Sequence, residues 1–548
     1  MLQPSLLRAT LAACVLLTAN LHLRADDPPP AQGRPMVAVQ LRSFEDVLAT
    51  ITYVGKAIGQ EDAVNQLEGL IKAFETPNGL LGINPKQPWV LYANLREDVG
   101  SSPIIVMLPI TDQKTFLDAL AGFSIRNRQQ KDVYLLESDV LPIPVYARFA
   151  NKQVYLTFQD KDNLALANLI KPEVLPKLPA STFAQINLNL NAIPKNLRQL
   201  AIGQIDLQLS EMKEAAPGED KAVTELRAAL IDTLSEKLAL ALESGSDLSL
   251  SIVVDRKKDA IGLEAKLTGT PGGQLQREIQ GLAQGPGLFD LGLDNSAIRA
   301  RSALAMPSKM LKSWEKNLDG LLESMVKDAD NPIAKKAVKL LTDSLRPTLK
   351  TGQLVSEINV VGPAKNGKMG MVVAVRGEQM KQVEQSVRQI VKLDPVVKAF
   401  IATDIGKVGD ITYHKITPGP DAADSQTFGD GPYFLAVPSD NVAILTLGQD
   451  AEALLKRAIP ATKNLSKGPL VLQFDIAYSR AALVLDPNDA DEAQKARDYF
   501  KGSPPGSDRI RVELLGGEDL TVRVLFSTKL LGLAAQQAGF GENENKRD

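Results

Sequence analysis

The chain has 548 residues, 44% apolar and 23% charged, with a formal net charge of −3; it is long enough for more than one domain and too apolar for disorder. Mild acidity without a basic tract argues against nucleic acid as the main partner. One cysteine and two histidines leave little material for thiolate, zinc or histidine chemistry.

In chain order, the first 25 residues read as a secretory signal peptide. Arg8 supplies a positive start, Ala9 to Leu21 is almost wholly apolar, and Ala25 precedes Asp26, which predicts cleavage after Ala25. Leu11-Ala12-Ala13-Cys14 also matches a lipoprotein cleavage box. A lipobox closes its apolar run, however, and this run continues through Val15, Leu16 and Leu17, so lipidation of Cys14 is the minor alternative. Cleavage after Ala25 removes Cys14 and His22. The mature chain then has no cysteine, and His414 is its last histidine. Periplasm or cell envelope is the expected location. Residues 26–35, with Pro28-Pro29-Pro30, read as an extended leader, and no later apolar stretch reaches the roughly 20 residues that span a bilayer.

Beyond residue 36, three patterns recur. A strand running into a helix appears at Val37, Thr182, Ile298 and Pro469. Two alternating strands followed by a helix appear at Trp89, Asp247, Gln353 and Asp508. Three short strands and a helix appear at Val133 and Ile411. Apolar residues alternate at period two in the strands and switch to helical spacing afterwards. The same order of patterns fills residues 36–290 and 291–540, which predicts two homologous halves meeting in the glycine-rich "AQGPGLFDLGLDNS". Val223, Leu226, Leu230, Leu234 and Leu238 form one helical stripe; Leu311, Trp314, Leu318, Leu322 and Met325 form another. Residues 541–548 are charged and expected to be disordered. The architecture predicted is α+β: antiparallel β-hairpins with amphipathic helices packed on the sheet.

Three segments, "GLLGINPKQPWVLYANL", "VMLPITDQKTFLDALAGF" and "FAQINLNLNAIPKNLRQLAIGQI", resemble uncharacterised exported α+β repeat proteins of planctomycete-type bacteria. That resemblance implies export and architecture. It carries no established activity and assigns no site residue.

Motifs with chemical promise are few. Gly362, Gly367 and Lys368 match the core of a phosphate-binding loop, but Met369 stands where Ser or Thr would hold the metal, and strand follows instead of helix. A hairpin turn is expected there. His414 alternates with apolar residues on a strand and has no second histidine or serine elbow beside it, so it is expected to be an exposed strand residue. Asp486 to Glu492 is the densest carboxylate run, yet Ala490 and Asp491 break the calcium-loop pattern, and helix capping is expected. Gly419 to Gly431 is a polar insertion suited to a partner contact or merely tolerated. Aromatic residues at 5% are sparse for a sugar cleft, and Trp89 and Trp314 are expected in cores. No catalytic, metal or cofactor residue is nominated. The reading is an exported, non-enzymatic binding or scaffold protein acting on a protein or envelope component. The alternatives are a carrier of apolar ligands or lipids in a groove between sheet and helices, and a hydrolase using carboxylates alone.

Overall fold

The computed structural model describes residues 33–72, 75–76, 79–94, 102–138, 143–213, 221–293, 295–305, 311–312, 339–340, 343–344, 346–348, 350–393, 397–418, 425–463, 465–485 and 490–537. The expected signal peptide with Cys14 and Ala25, most of the expected leader, the stripe from Trp314 to Met325, residues 419–424 of the polar insertion, residues 486–489 and the tail lie outside the described residues. Two compact units emerge. The first runs to Gly203 and takes in Gly245–Arg256; the second takes Gln204–Ser244 and the chain from Lys257.

In the first unit the strands are β1 (Val37–Ser43), β2 (Pro88–Ala93), β3 (Ile104–Pro109), β4 (Arg126–Gln130), β5 (Val133–Glu137), β6 (Val145–Ala150), β7 (Gln153–Thr157), β8 (Thr182–Asn189) and β9 (Gly245–Asp255). They pair antiparallel in the order β9-β8-β1-β2-β3-β7-β6-β5-β4. Alternation does the sorting: in β3, Ile105 and Met107 point into the core while their neighbours are partly exposed. Val90, Tyr92, Tyr155, Leu164, Leu169 and Ile170 complete that core. Strand β4 is an addition to the expected three-strand group. Its sequence, Arg-Asn-Arg-Gln-Gln, is polar on both faces, as suits an edge strand, and so has no apolar period to reveal it.

The helices are α1 (Phe44–Ala57), α2 (Glu61–Lys72) and α3 (Gln113–Gly122). Ser43 caps α1 by accepting the Asp46 amide at 3.2 Å, and Asp112 caps α3 by accepting that of Thr115 at 2.6 Å. The helix expected after β7 does not form. Short 3-10 turns at Lys161–Leu164, Leu166–Asn168 and Pro172–Val174 take its place. Pro172, Pro176 and Pro179 lack the amide a continuing helix needs and hold the preceding residues extended.

The second unit's strands are β10 (Ala260–Gly269), β11 (Ser296–Ala305), β12 (Gln353–Val361), β13 (Gly370–Arg376), β14 (Ile401–Val408), β15 (Ile411–Ile416), β16 (Tyr433–Ser439), β17 (Val442–Gly448), β18 (Leu470–Ala477), β19 (Arg509–Leu515) and β20 (Asp519–Phe526). Their order is β10-β20-β19-β18-β11-β12-β13-β17-β16-β15-β14, again antiparallel throughout. Its main helices are α4 (Lys221–Ser244), α5 (Gln274–Ala283), α6 (Lys381–Leu393), α7 (Ala451–Ala461), α8 (Tyr478–Leu485), α9 (Ala490–Phe500) and α10 (Thr528–Gln537). Strand β10 and helix α5, which the sequence plan counts with residues 36–290, belong by contact to this unit, because β10 pairs with β20 from Ile261 to Thr268.

Helix α7 lies on β13, β16 and β17 and buries Leu454, Leu455, Ala458 and Ile459. The glycine-rich stretch is packed, not an open linker: Leu288, Phe289, Leu291 and Leu293 are buried in the same core. The α4 stripe departs from expectation. Ile231 and Thr233 are buried, whereas Leu230 and Leu234 are 52% and 46% exposed. Mixed α+β architecture with a dominant antiparallel sheet is thus observed.

Candidate functional site

His414 lies on β15 and is fully buried, which corrects the expectation of an exposed strand residue. Helix α6 lies against β14 and β16 and brings Glu384 and Arg388 to the ring. Between Ala402 and Gly406 the pairing of β14 with β15 shifts register, and Asp404 there has φ +56°. That bulge points its amide at the imidazole. Nδ1 accepts the Asp404 amide at 3.2 Å, and Nε2 faces Glu384 Oε1 at 3.2 Å. An accepting Nδ1 places the ring proton on Nε2, so the ring donates to the carboxylate.

Glu384, Asp404 and His414 bring their ligating atoms within 4.8 Å of one another, a grouping that invites a metal. The Arg388 guanidinium already occupies it. Nη2 donates to Glu384 at 2.7 Å and to Asp404 at 2.8 Å, and Nη1 donates to the other Asp404 oxygen. Hydrogen bonding to Arg388 holds the Asp404 carboxyl below its ordinary value. A cation would have to displace both the guanidinium and the amide at Nδ1. The geometry is that of a satisfied ion-pair network tying a helix to a strand bulge.

A second buried network sits on β11 and β12. Glu357 is fully buried and accepts from Arg299 at 2.8 Å, from Asn359 at 2.8 Å and from the Leu291 amide at 3.2 Å. On the next strands Asp475 receives Arg509 at 2.7 Å and Arg511 at 2.9 Å. Each acid is spoken for by a cation, as buried charge requires.

The phosphate-loop look-alike is a hairpin turn, as expected. Val361 pairs with Gly370, the Gly367 amide closes on Ala364 at 2.9 Å, and Gly362 and Gly367 have φ of 124° and 78°, open to glycine and strained for other residues. It borders a cleft of about 430 Å³ with Gln449, Asp450 and Arg480. Of the carboxylate run, Asp491 and Glu492 fall in the first turn of α9, where acids favour the positive end of the helix dipole. Trp89 stacks on Phe44 at 5.6 Å.

The site that sequence reasoning missed is a cleft of about 550 Å³ in the first unit. Its floor is Val90, Met107 and Leu175, all buried. Its back carries two buried carboxamides. Gln40 is satisfied: it donates to Pro176 O at 3.2 Å and accepts from Asn187 at 3.0 Å. Gln153 is only 5% exposed, and its Oε1 is sealed without a partner. Its Nε2 makes no hydrogen bond among the described residues. Around the mouth stand Arg42, Lys86, Lys152 and Lys177 against Asp46 and Glu173, four cations to two carboxylates. Arg42 bonds Ala180 O and lies 3.4 Å from Asp46. The three lysine ammonium groups are exposed and make no salt bridge among the described residues. Volume, apolar floor and a few placed polar groups are the usual make-up of a small-molecule site.

No helix among the described residues is long and apolar enough to cross a membrane. No protein-family model matches the chain, and no curated protein does. Among solved structures, crystal form I of TP0453 matches at 10% identity over 46% of this chain and 98% of that one. Its TM-score is 0.21, a level of likeness that carries no argument.

Proposed function

We propose that this is an exported, non-enzymatic binding or scaffold protein whose first unit holds a ligand. The observation carrying this reading is the Gln153 cleft: small-molecule-sized, lined by unsatisfied donors, and placed where the second unit is filled. A partner surface is supported separately by Leu207, Met212, Leu230 and Leu234, each roughly half exposed. The Lys213–Asp232 and Ser235–Asp206 contacts bring the segments that carry them side by side, and neighbouring apolar exposure suits an interaction surface.

A hydrolase using carboxylates alone is less well supported. A general acid needs a carboxyl raised toward neutrality. Among the described residues, the carboxyls displaced from their ordinary values, Asp112, Glu278, Asp290, Asp404 and Glu452, are displaced downward.

We read the two units as copies of one plan. In each, the strand-helix element is central and pairs on one side with a hairpin leading to a four-strand group, and on the other with a second strand-helix element. On that reading β1, β2, β3, β4 to β7, β8 and β9 answer to β11, β12, β13, β14 to β17, β18 and β19. The matching strand orders support it.

Export is tested by intact mass of protein from its native host, which should start at Asp26 without a lipid adduct. Native mass spectrometry with organic extraction then tests the binding reading against the apolar carrier. No stoichiometric lipid is expected; one lipid recovered per chain would promote the carrier.

A further inference from the structure

We propose that the cleft of the first unit takes a small organic anion, with a carboxylate or phosphate at the Lys86, Lys152 and Lys177 rim and an apolar body over Val90, Met107 and Leu175. The proposal rests on the binding reading above and names the ligand's chemistry.

Three observations converge on an acceptor-rich, negatively charged guest. Firstly, what the cleft offers is donors. Arg42 and three lysines outnumber Asp46 and Glu173, and Asp46 is engaged by Arg42 and by the Ser43 hydroxyl at 2.7 Å. The lysines carry no partner acid among the described residues, so an entering anion meets cations that need not break a salt bridge first.

Secondly, Gln153 is a carboxamide set 95% deep with no hydrogen bond among the described residues at either end. A buried polar group left unmet is destabilising, and its neighbours show that the site can do otherwise. Gln40, equally buried, is bonded at both ends. Asn151, in the adjoining turn, donates to the Tyr155 hydroxyl at 3.2 Å. An acceptor on a guest would meet the Nε2 donor of Gln153 and leave the sealed Oε1 as the one unmet atom.

Thirdly, the floor is apolar and the cleft is much larger than an inorganic ion. Val90, Met107 and Leu175 would be matched by hydrocarbon, with the anionic group toward the solvent-facing rim. Exposed cations attract modestly and are screened by salt, so affinity should fall with ionic strength. Carboxylate and phosphate share this chemistry, and the probes separate them.

The test is calorimetric titration of the purified protein with benzoate, phenyl phosphate and neutral benzyl alcohol, at low and high salt. At least one anion should bind, and the neutral probe should bind about tenfold or more weakly. The tighter anion identifies the headgroup. Changing Lys86, Lys152 and Lys177 together to Gln should weaken the anion about tenfold and flatten its salt dependence. These exposed changes leave folding intact. Gln153→Leu should weaken it about fivefold without lowering the melting temperature. Benzyl alcohol binding as tightly as the anions, or a triple lysine variant of unchanged affinity, overturns the anionic class but leaves the binding reading standing. Failure of all three probes overturns the proposal. Steady release of phenol from phenyl phosphate, lost in the lysine variant, would support the anion site while defeating the non-enzymatic reading.

Discussion

The first residue of β7 is Gln153, opposite Pro109 and Ala150; the first residue of β17 is Val442, opposite Arg376 and Ser439. Strand pairings around the two are alike, but their coverings differ. Over β17 lies the regular helix α7, and Val442 is buried in the core with Leu454 and Leu455. After β7 come 3-10 turns interrupted by Pro172 and Pro176, and a cleft opens over Gln153. A second pair of positions differs in the opposite sense. Leu135 faces Tyr146 in the first unit, and His414 faces Leu435 in the second. There the first unit is apolar, and the second holds the Arg388 network. A ladder of strands sets where positions lie; the segment that follows decides whether a position becomes core, ion pair or cleft.

The comparison can be strained most by removing the seal. Leu455 is wholly buried in α7, so Leu455→Ala should lower stability by about 2–5 kcal/mol in denaturant titration. Leu166, in the 3-10 turns, is 60% exposed, and Leu166→Ala should change stability by no more than about 0.5 kcal/mol. Equal losses would mean that the two segments cover their cores alike.

Exchanging the paired residues sharpens it further. Val442→Gln puts a carboxamide into a filled apolar core and should be destabilising by about 1–3 kcal/mol. Gln153→Val removes a carboxamide with no partner, so it should be neutral or stabilising by up to about 1 kcal/mol. Opposite signs are the signature of one open and one closed position. If both changes destabilise equally, Gln153 has a structural partner in solution.

The smallest effect is in the pH dependence of the polar cluster. Arg388 holds Asp404 below the ordinary aspartate value of 3.8. A depressed carboxyl contributes stability that is fully present above that value and lost as pH falls through the folded one. Asp404 is largely exposed, so the effect is small and screened. Asp404→Asn should lower stability slightly at neutral pH, where the contribution is present, and converge with the parent protein in acid, so that the acid limb below about pH 4 is flatter. An acid limb identical to that of the parent protein would mean the contact is not held in solution.

Much of the fold was legible because alternation is a local signal. The strands at Val37, Trp89, Gln353 and Asp508 announce themselves by period two, and turns such as Gly362 to Lys368 by their glycines. The polar edge strand Arg126–Gln130 had no apolar face to show. The helix expected after β7 is broken at Ala165, which is extended between two 3-10 turns, and Pro172 then bars its continuation past Lys171. The Leu230 and Leu234 stripe was read correctly as helix but placed on the wrong side, since spacing reveals a face and not what it meets. The burial of His414 depends on α6, thirty residues earlier, and on a bulge in β14. The cleft was invisible for a related reason. Gln40, Lys86, Gln153 and Lys177 are unremarkable residues scattered along the chain, gathered only when β1, β2, β3 and β7 pair.

The cleft is read most directly by methyl NMR of protein labelled at Val, Leu and Met, titrated with whichever of benzoate and phenyl phosphate binds more tightly. Shifts should concentrate at Val90, Met107 and Leu175, with Val442, Leu454 and Leu455 unmoved. Shifts centred on those second-unit methyls, or no change at the first-unit floor at saturating probe, would contradict the binding reading.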